Sequence, residues 1–180
     1  MTSRPPRLYA GEVTDLLLTT YAGQARYNRW MNETIYAVAA KLTGAERRRD
    51  LGAFFKSIHG TLNHLLLADR IWLSRVGIGE APKVAGLGDE LYDDFDKLRA
   101  ERAKTDGDLE TWVATLTVEQ LAAPFTYHSR RGSFTHPLWY AVSHMFNHQT
   151  HHRGQVTTLL MQLGHDPGLT DMIAMLRGEV

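Results

Sequence analysis

Four long segments of the chain carry apolar residues at alternating steps of three and four. This spacing places the apolar residues along one side of a helix, so each segment is predicted to be a helix with one buried face. Thr43 and Gly44 are predicted to end the first helix. The four predicted helices cover approximately residues 13–42, 51–76, 88–116 and 137–163.

One residue interrupts the buried face of the second helix, and another weakens the prediction that the third helix is continuous. Asp69 stands among apolar residues of the second segment, where a buried carboxylate needs a cation or a hydrogen-bond donor. Gly107 lies within the third segment, where glycine costs about 1 kcal/mol relative to alanine. Pro137 suits the first position of the fourth helix, with Thr135 or His136 as its cap.

Shorter elements are predicted near the end of the chain. In PFTYHSRRGSFT, aromatic residues flank a turn that contains Gly132, which predicts a short hairpin before the last long helix. The segment LTDMIAMLR is predicted to be a short helix that covers one end of the molecule. Together the elements predict an all-α fold, an antiparallel four-helix bundle, with one domain over residues 1–180.

Composition narrows the class of protein. A hydrophobic share of 43% and a charged share of 22% are typical of a folded globular chain. Because the formal net charge is zero, nucleic acid and membrane surfaces are not expected partners. No apolar run approaches the roughly 20 residues that a membrane span needs, and the N-terminal residues lack the apolar core of a signal peptide. A cytoplasmic location is therefore predicted.

Histidine is the unusual component. The chain has nine histidines and no cysteine, so thiolate ligands and a cysteine nucleophile are excluded. His148 and His152 occupy positions of the fourth helix where the apolar pattern predicts leucine. Residues four apart share one face of a helix with side chains about 6 Å apart, close enough for two imidazoles to bind one metal ion.

The spacing of this pair leaves two interpretations open. Two buried imidazoles need partners, which a metal ion would supply, but core histidines that bond to other side chains are an equal alternative. Neither the HExxH motif of zinc proteases nor the Glu-x-x-His repeats of di-iron bundles occurs in the chain. Those two classes of metalloprotein are therefore not favoured.

Three motifs add a family resemblance. NHQTHHRGQ in the fourth helix, LNHLLLADRIWL in the second and YNRWMNE in the first together resemble the DinB/YfiT-like family of bacterial metal-binding bundles. DinB here denotes the DNA-damage-inducible protein and not the DNA polymerase of that name. The motifs span most of the chain in the family's order, and their combination is more specific than any one of them.

The resemblance implies a metal site with three histidine ligands, His64, His148 and His152. His64 comes from the family motif alone, because it lies one step away from the apolar face of the second helix. Three neutral imidazoles leave coordination positions open for water or substrate, as in catalytic metal sites. Imidazole suits several metals; the resemblance points to nickel or zinc, with iron and manganese as alternatives.

The resemblance also implies a function. Relatives include thiol-dependent enzymes, so we expect a metal-dependent thiol transferase that acts on a small molecule with a low-molecular-weight thiol. A metal-dependent hydrolase and a non-catalytic, stress-induced metal-binding or ligand-binding protein are the alternatives. The resemblance further implies a homodimer. No catalytic residue and no thiol-binding residue is assigned from the sequence.

The remaining polar candidates are given structural interpretations. His144 lies one turn before His148, toward the edge of the predicted site, and His151 projects about 100° away from His152. For Asp69, a structural bond to Arg29, Arg153 or a side chain of the first helix is favoured over orientation of a ligand imidazole. The other histidines are interpreted as ordinary: His59, His128, His136 and His165.

Overall fold

The computed structural model describes residues 10–179, with side chains from residue 16 onward. Within that range the chain is mostly helical and contains one small antiparallel sheet. The helices are α1 (Ala10–Ala39), α2 (Gly44–Arg48), α3 (Ile58–Arg75), α4 (Phe95–Ala114), α5 (Val118–Ala122), α6 (Leu138–Gln162) and α7 (Met172–Arg177). The strands are β1 (Pro124–Ser129) and β2 (Gly132–Pro137).

The four long helices contact one another in a closed cycle. Helix α1 packs on α4 and α6, and α3 packs on the same two helices. Their apolar faces meet in two clusters of buried side chains. Each cluster removes apolar surface from water, which stabilises the fold by about 25 cal/mol per Å². The first cluster includes Ile35, Leu62, Leu98 and Leu160, and the second includes Leu73, Leu109, Val142 and Met145.

A layer of buried polar residues lies between the two clusters. Asp69 of α3 and Arg102 of α4 form an ion pair at 2.8 Å, and Arg102 pairs with Asp106 at 2.9 Å. Asn28 and Asn32 of α1 donate hydrogen bonds to the Asp106 carboxylate. The three charged side chains are at most 2% exposed, so their charges depend on these partners rather than on water.

The partner of Asp69 differs from the predictions. Arg29 pairs instead with Glu110, and Arg153 donates to Asn28. Besides Arg102, Asp69 accepts a hydrogen bond from Gln149 of α6. The structural interpretation of Asp69 therefore agrees with its contacts, but the predicted partners were wrong because α4 supplies the cation.

Two of the predicted helix starts were wrong. Helix α3 begins at Ile58 rather than near residue 51, because Ser57 caps it by accepting a hydrogen bond from the Gly60 N–H. Helix α4 begins at Phe95 rather than near residue 88, because the Asp94 side chain accepts from the Lys97 N–H. Helix α4 nevertheless continues without a break through Gly107.

The first predicted helix ends slightly before residue 42, and Thr43 and Gly44, which were predicted to end it, instead start a further short helix. Helix α1 ends at Ala39, and Thr43 forms a capping box with Glu46 that starts α2. The side chains of residues 13–15, at the start of the first predicted helix, lie outside the described side chains. Helices α2 and α5 were not predicted, because five residues are too few to show a period of 3.6.

The predicted hairpin is present, and its two strands make a strictly all-α class wrong. Strands β1 and β2 pair antiparallel around the turn at Gly132, whose φ of 127° suits glycine. Pro137 ends β2 and occupies the N-cap position of α6 without a side-chain hydrogen bond. Helix α7 lies within the predicted C-terminal segment, with Met172 against Gly23 of α1. No helix in residues 10–179 is long and apolar enough to cross a membrane.

Candidate metal centre

Helices α3 and α6 bring three imidazoles together. His64 of α3 faces His148 and His152, which lie one turn apart on α6. One ligand nitrogen from each ring lies within 4.8 Å of the other two, and the Nε2 atoms of His64 and His148 are 3.1 Å apart. His64 is 4% exposed and His152 is 8% exposed, so the cluster lies mostly inside the protein.

Oxygen acceptors on the outer side of the cluster fix two of the rings. The Nδ1 atom of His64 lies 2.8 Å from the Leu87 carbonyl oxygen, in the loop after α3. The Nδ1 atom of His152 lies 2.8 Å from Oε1 of Gln155, less than one turn further along α6. Because these oxygens only accept, each Nδ1 carries the proton and each Nε2 keeps its lone pair. Histidine ligands of metal ions are usually oriented in this way.

An aromatic side chain also holds His64. The ring of Phe55, in the loop before α3, stacks on the imidazole of His64 with centroids 3.8 Å apart and planes 18° apart. Phe55 also contacts His152, with ring centroids 5.5 Å apart. The stack and the Leu87 carbonyl leave His64 little freedom to rotate, so its Nε2 is directed toward α6 before any ligand binds.

The protein keeps these imidazoles neutral. The pKa of His64 is lowered to about 4 and that of His148 to about 3, mainly by burial and in part by neighbouring imidazoles. Burial also lowers the pKa of His152. At neutral pH the three rings are therefore neutral, so a metal ion would not have to compete with a second proton on an imidazolium ring.

The donor set fits a transition metal ion. Metal–nitrogen bonds of about 2.0–2.1 Å in a tetrahedral site place ligand nitrogens about 3.3 Å apart. His64 and His148 already have nearly this separation, at 3.1 Å. All three ligand nitrogens lie within 4.8 Å of one another, so no separation exceeds that of a tetrahedral site by more than about 1.5 Å. Three imidazoles that converge on one point, of which those of His64 and His152 are buried and that of His148 is half-buried, could therefore hold a metal ion.

The other histidines lie outside this cluster. The ring of His144 contacts His148 on one side and Trp72 on the other, with centroids 5.7 Å and 5.1 Å apart. His151 is exposed and faces Gln155. His59 is buried but bonds to the Tyr92 carbonyl and to Arg48. His128 and His136 lie on the hairpin, and His165 follows α6.

Several residues that shape the cluster were not predicted. Phe55 and Leu87 lie in loops, and a backbone carbonyl carries no side-chain signal that could identify it. Gln155 could have been found, because it is three residues from His152 and such neighbours meet on a helix. Asp69 is not part of the cluster; among the described residues, no carboxylate contacts any of the three rings.

Comparisons with known proteins bear on the family and the fold of the chain. The DinB family matches residues 18–179. Protein DinB of Bacillus subtilis strain 168 is 26% identical over 152 residues, which cover 81% of this chain and 87% of that protein. A crystal structure of a DinB-like protein from Bacillus cereus ATCC 10987 superposes with a TM-score of 0.61 at 18% identity, covering 85% of this chain and 94% of that one. At this low identity, the likeness to the Bacillus cereus structure shows only a shared fold.

Proposed function

The chain belongs to the DinB family, and on that premise we propose that it is a four-helix-bundle protein that binds a divalent metal ion and transfers a small thiol. The observation that carries the proposal is the convergence of three neutral imidazoles from α3 and α6. The ligands are His64, His148 and His152, and the proposed metal is nickel or zinc, with iron or manganese as alternatives.

The packing of the long helices supports the bundle. Contacts join α1 to α4, α4 to α3, α3 to α6 and α6 to α1, which is the neighbour pattern of four helices arranged as a square. The facing pair α3 and α6 carries the histidines. Metal sites in helical bundles are built in this way, from inward-facing side chains on facing helices.

The neutral charge of the three histidines supports an anion as the fourth ligand of the metal ion. The three imidazoles are neutral, and within residues 16–179 no carboxylate contacts them. A divalent cation there would keep its full charge and would lower the pKa of a bound thiol, so that it is held as thiolate. Because the chain has no cysteine, the thiol would come from a small molecule.

A transferase fits this environment better than a hydrolase. A thiol has an ordinary pKa near 8.5 and needs little help to lose its proton, whereas the Glu of an HExxH site acts as general base toward water. Among the side chains that the structure describes, no carboxylate is in that position. In the proposed reaction the thiolate sulfur bonds to an electrophilic carbon, the leaving group departs with the bonding electron pair, and the thiol proton passes to solvent.

Turnover measurements test the proposal. Untagged protein loaded with zinc or nickel is assayed for conjugation of small electrophiles to glutathione, bacillithiol and mycothiol. We expect turnover with at least one thiol, loss of turnover after chelation or in His148→Ala, and retention in the control His151→Ala. Absence of turnover with every thiol, while the metal stays bound, would instead support a non-catalytic metal-binding protein. Turnover that survives chelation would contradict metal dependence.

A further inference from the structure

An aromatic pocket lies beside the histidine cluster, between α3, α6 and the hairpin. Its volume is about 320 Å³, within the range of small-molecule sites. The rings contact one another in sequence, with centroids 4.9 Å apart for Trp72 and Tyr127 and 5.4 Å apart for Tyr127 and His136. The pocket is lined by Trp72, Tyr127, His136, Tyr140, Ala141 and His144.

The hairpin and one small residue create this space. In the register of β1 and β2, Phe125 is opposite His136 and Tyr127 is opposite Phe134, so these four rings share one face of the hairpin. That face is turned toward Trp72 of α3. Ala141 of α6 is 1% exposed and forms part of the lining, where a larger side chain would fill the pocket.

The pocket is adjacent to the proposed metal ligands. His144 stands between the two, because its ring contacts both Trp72 of the pocket and His148 of the cluster. A molecule whose ring occupies the pocket would therefore lie about one turn of α6 away from the histidine cluster, and a longer molecule could extend along α6 toward the cluster.

The charge beside the pocket selects among aromatic ligands. The guanidinium of Arg75 lies 4.3 Å from the ring centre of Trp72 and 4.6 Å from that of Tyr127. Within the described side chains, Arg75 forms no ion pair, and no acidic residue lines the pocket. Aromatic boxes elsewhere bind cations, but Arg75 would repel a cation here and would attract an anion.

We propose that this pocket binds the ring of a small aromatic anion, such as an aryl carboxylate. Its ring would make edge-to-face contacts with Trp72 and Tyr127, which stabilise aromatic pairs beyond the effect of the area they bury. Its acidic group would lie near Arg75. That this molecule is the electrophilic substrate rests on the proposed thiol transferase, whereas the binding itself does not.

A second copy of the chain is the other occupant that an aromatic surface would suit. Tyr140 is 52% exposed, and the neighbouring Phe134 and Trp139 are 42% and 37% exposed. A concave, ring-lined site beside a single cation fits a small planar molecule better than the flat face of another protein. The oligomeric state is therefore measured alongside ligand binding.

Calorimetry with three probes tests the pocket. We expect 2-naphthoate to bind metal-free and metal-loaded protein, cyclohexanecarboxylate to bind at least about tenfold more weakly, and a naphthyl trimethylammonium cation to bind more weakly than the naphthoate. Ala141→Leu should weaken naphthoate binding about tenfold or more by filling the site. Arg75→Met should remove the preference for the anion.

Two further variants keep the test decisive if Ala141→Leu fails to fold. Tyr140→Ala removes an exposed wall and should also weaken naphthoate binding, whereas Phe54→Ala, an 84% exposed aromatic residue away from the pocket, should not. Equal binding of the saturated acid, unchanged binding in Tyr140→Ala, or a dimer that dissociates in Tyr140→Ala would overturn the proposal. Naphthoate binding without thiol turnover would leave the pocket in place and remove only its role in the proposed reaction.

Discussion

At the scale of single residues, the orientation of the histidine rings depends on oxygen atoms outside the cluster. Gln155 and the Leu87 carbonyl hold the Nδ1 protons of His152 and His64, so both Nε2 lone pairs are available before a ligand binds. Phe55 adds a stacked contact to His64. The orientation of the His64 and His152 rings therefore depends on neighbouring residues that would not bind the metal ion themselves.

Replacement of Gln155 tests this orientation. We expect Gln155→Ala to weaken zinc binding about 10–100-fold, because His152 loses the acceptor that fixes its tautomer. Affinity is measured by competition with a chromophoric chelator. Gln162→Ala, an exposed glutamine later in α6, is the matched control and should bind like the wild type. Equal affinity in both variants would show that Gln155 does not position the ligand.

The lowered pKa of His148 predicts a pH dependence of stability in the metal-free protein. Its folded-state pKa is about 3, whereas an unfolded histidine has a pKa near about 6.5. Below the unfolded pKa the unfolded chain binds more protons than the folded one, so stability decreases as the pH falls. His148→Leu removes this contribution.

Urea unfolding in the presence of a chelator measures the effect. As the pH falls from about 7.5 to about 4.5, the wild type should lose stability relative to His148→Leu, because the variant keeps His64 and His152 but lacks the lowered pKa of His148. The control His151→Leu should follow the wild type. A free-energy difference between wild type and His148→Leu that stays constant over this range would contradict a lowered pKa of the half-buried His148.

Spacing in the sequence indicates only part of the cluster. His148 and His152 replace expected leucines four residues apart, which predicts that they share a buried face. His64 could not be chosen from periodicity, because α3 is buried on more than one side: His64 and its neighbour Leu65 are 4% and 0% exposed. Only the family motif indicated it.

At the scale of elements, the start of α3 depends on a close backbone approach. A Cβ atom on Gly60 would lie only 2.4 Å from the Phe55 carbonyl oxygen. Lys56, the residue after Phe55, has a φ of 66°. Only glycine at position 60 allows the loop to fold back so closely on α3. This approach places the Phe55 ring on His64.

Two glycine substitutions separate the effect of the close approach at Gly60 from the effect of helix propensity. Alanine favours a helix over glycine by about 1 kcal/mol, so Gly107→Ala in α4, where a Cβ meets nothing within 4 Å, should stabilise the protein by about 0.5–1 kcal/mol. Gly60→Ala should instead destabilise it by about 1–3 kcal/mol, because the new methyl group overlaps the carbonyl. Both are measured by urea unfolding; stabilisation by Gly60→Ala would contradict the close approach.

Helix starts were the elements least accessible from the sequence. Apolar residues before Ile58 and before Phe95 continued the pattern of steps of three and four, but Ser57 and Asp94 cap the helices at those points. A capping residue can start a helix later than the apolar pattern indicates. Whether it does so depends on how the preceding loop packs. Gly107 shows the opposite case, since packing on α1 and α3 keeps α4 continuous despite the cost of glycine.

At the scale of the whole molecule, a buried ionic layer joins all four long helices. Asp69, Arg102 and Asp106 lie between the two apolar clusters, and α1 and α6 contribute hydrogen-bond donors to them. The sequence showed Asp69 as an anomaly but not its partner. Arg102 lies on a helix whose apolar face is weakly patterned, and a contact between distant segments leaves no local signal.

Removal of one member of this layer should be costly. Asp69→Ala leaves the charge of Arg102 partly uncompensated in the interior, which we expect to destabilise the protein by about 3–5 kcal/mol. Arg29→Met breaks the more exposed ion pair with Glu110 and should cost about 0–1 kcal/mol. Chemical unfolding of the metal-free proteins measures both, and similar small losses would show that the buried layer is not needed for stability.

The metal content of untagged protein tests the central claim most directly. Protein is equilibrated with zinc or nickel, desalted and analysed by inductively coupled plasma mass spectrometry, with circular dichroism to confirm folding. We predict one metal ion per chain in the wild type and in His151→Ala, and loss of that ion in His64→Ala and in the double variant His148→Ala/His152→Ala. Stoichiometric metal in the folded double variant would contradict the proposed site.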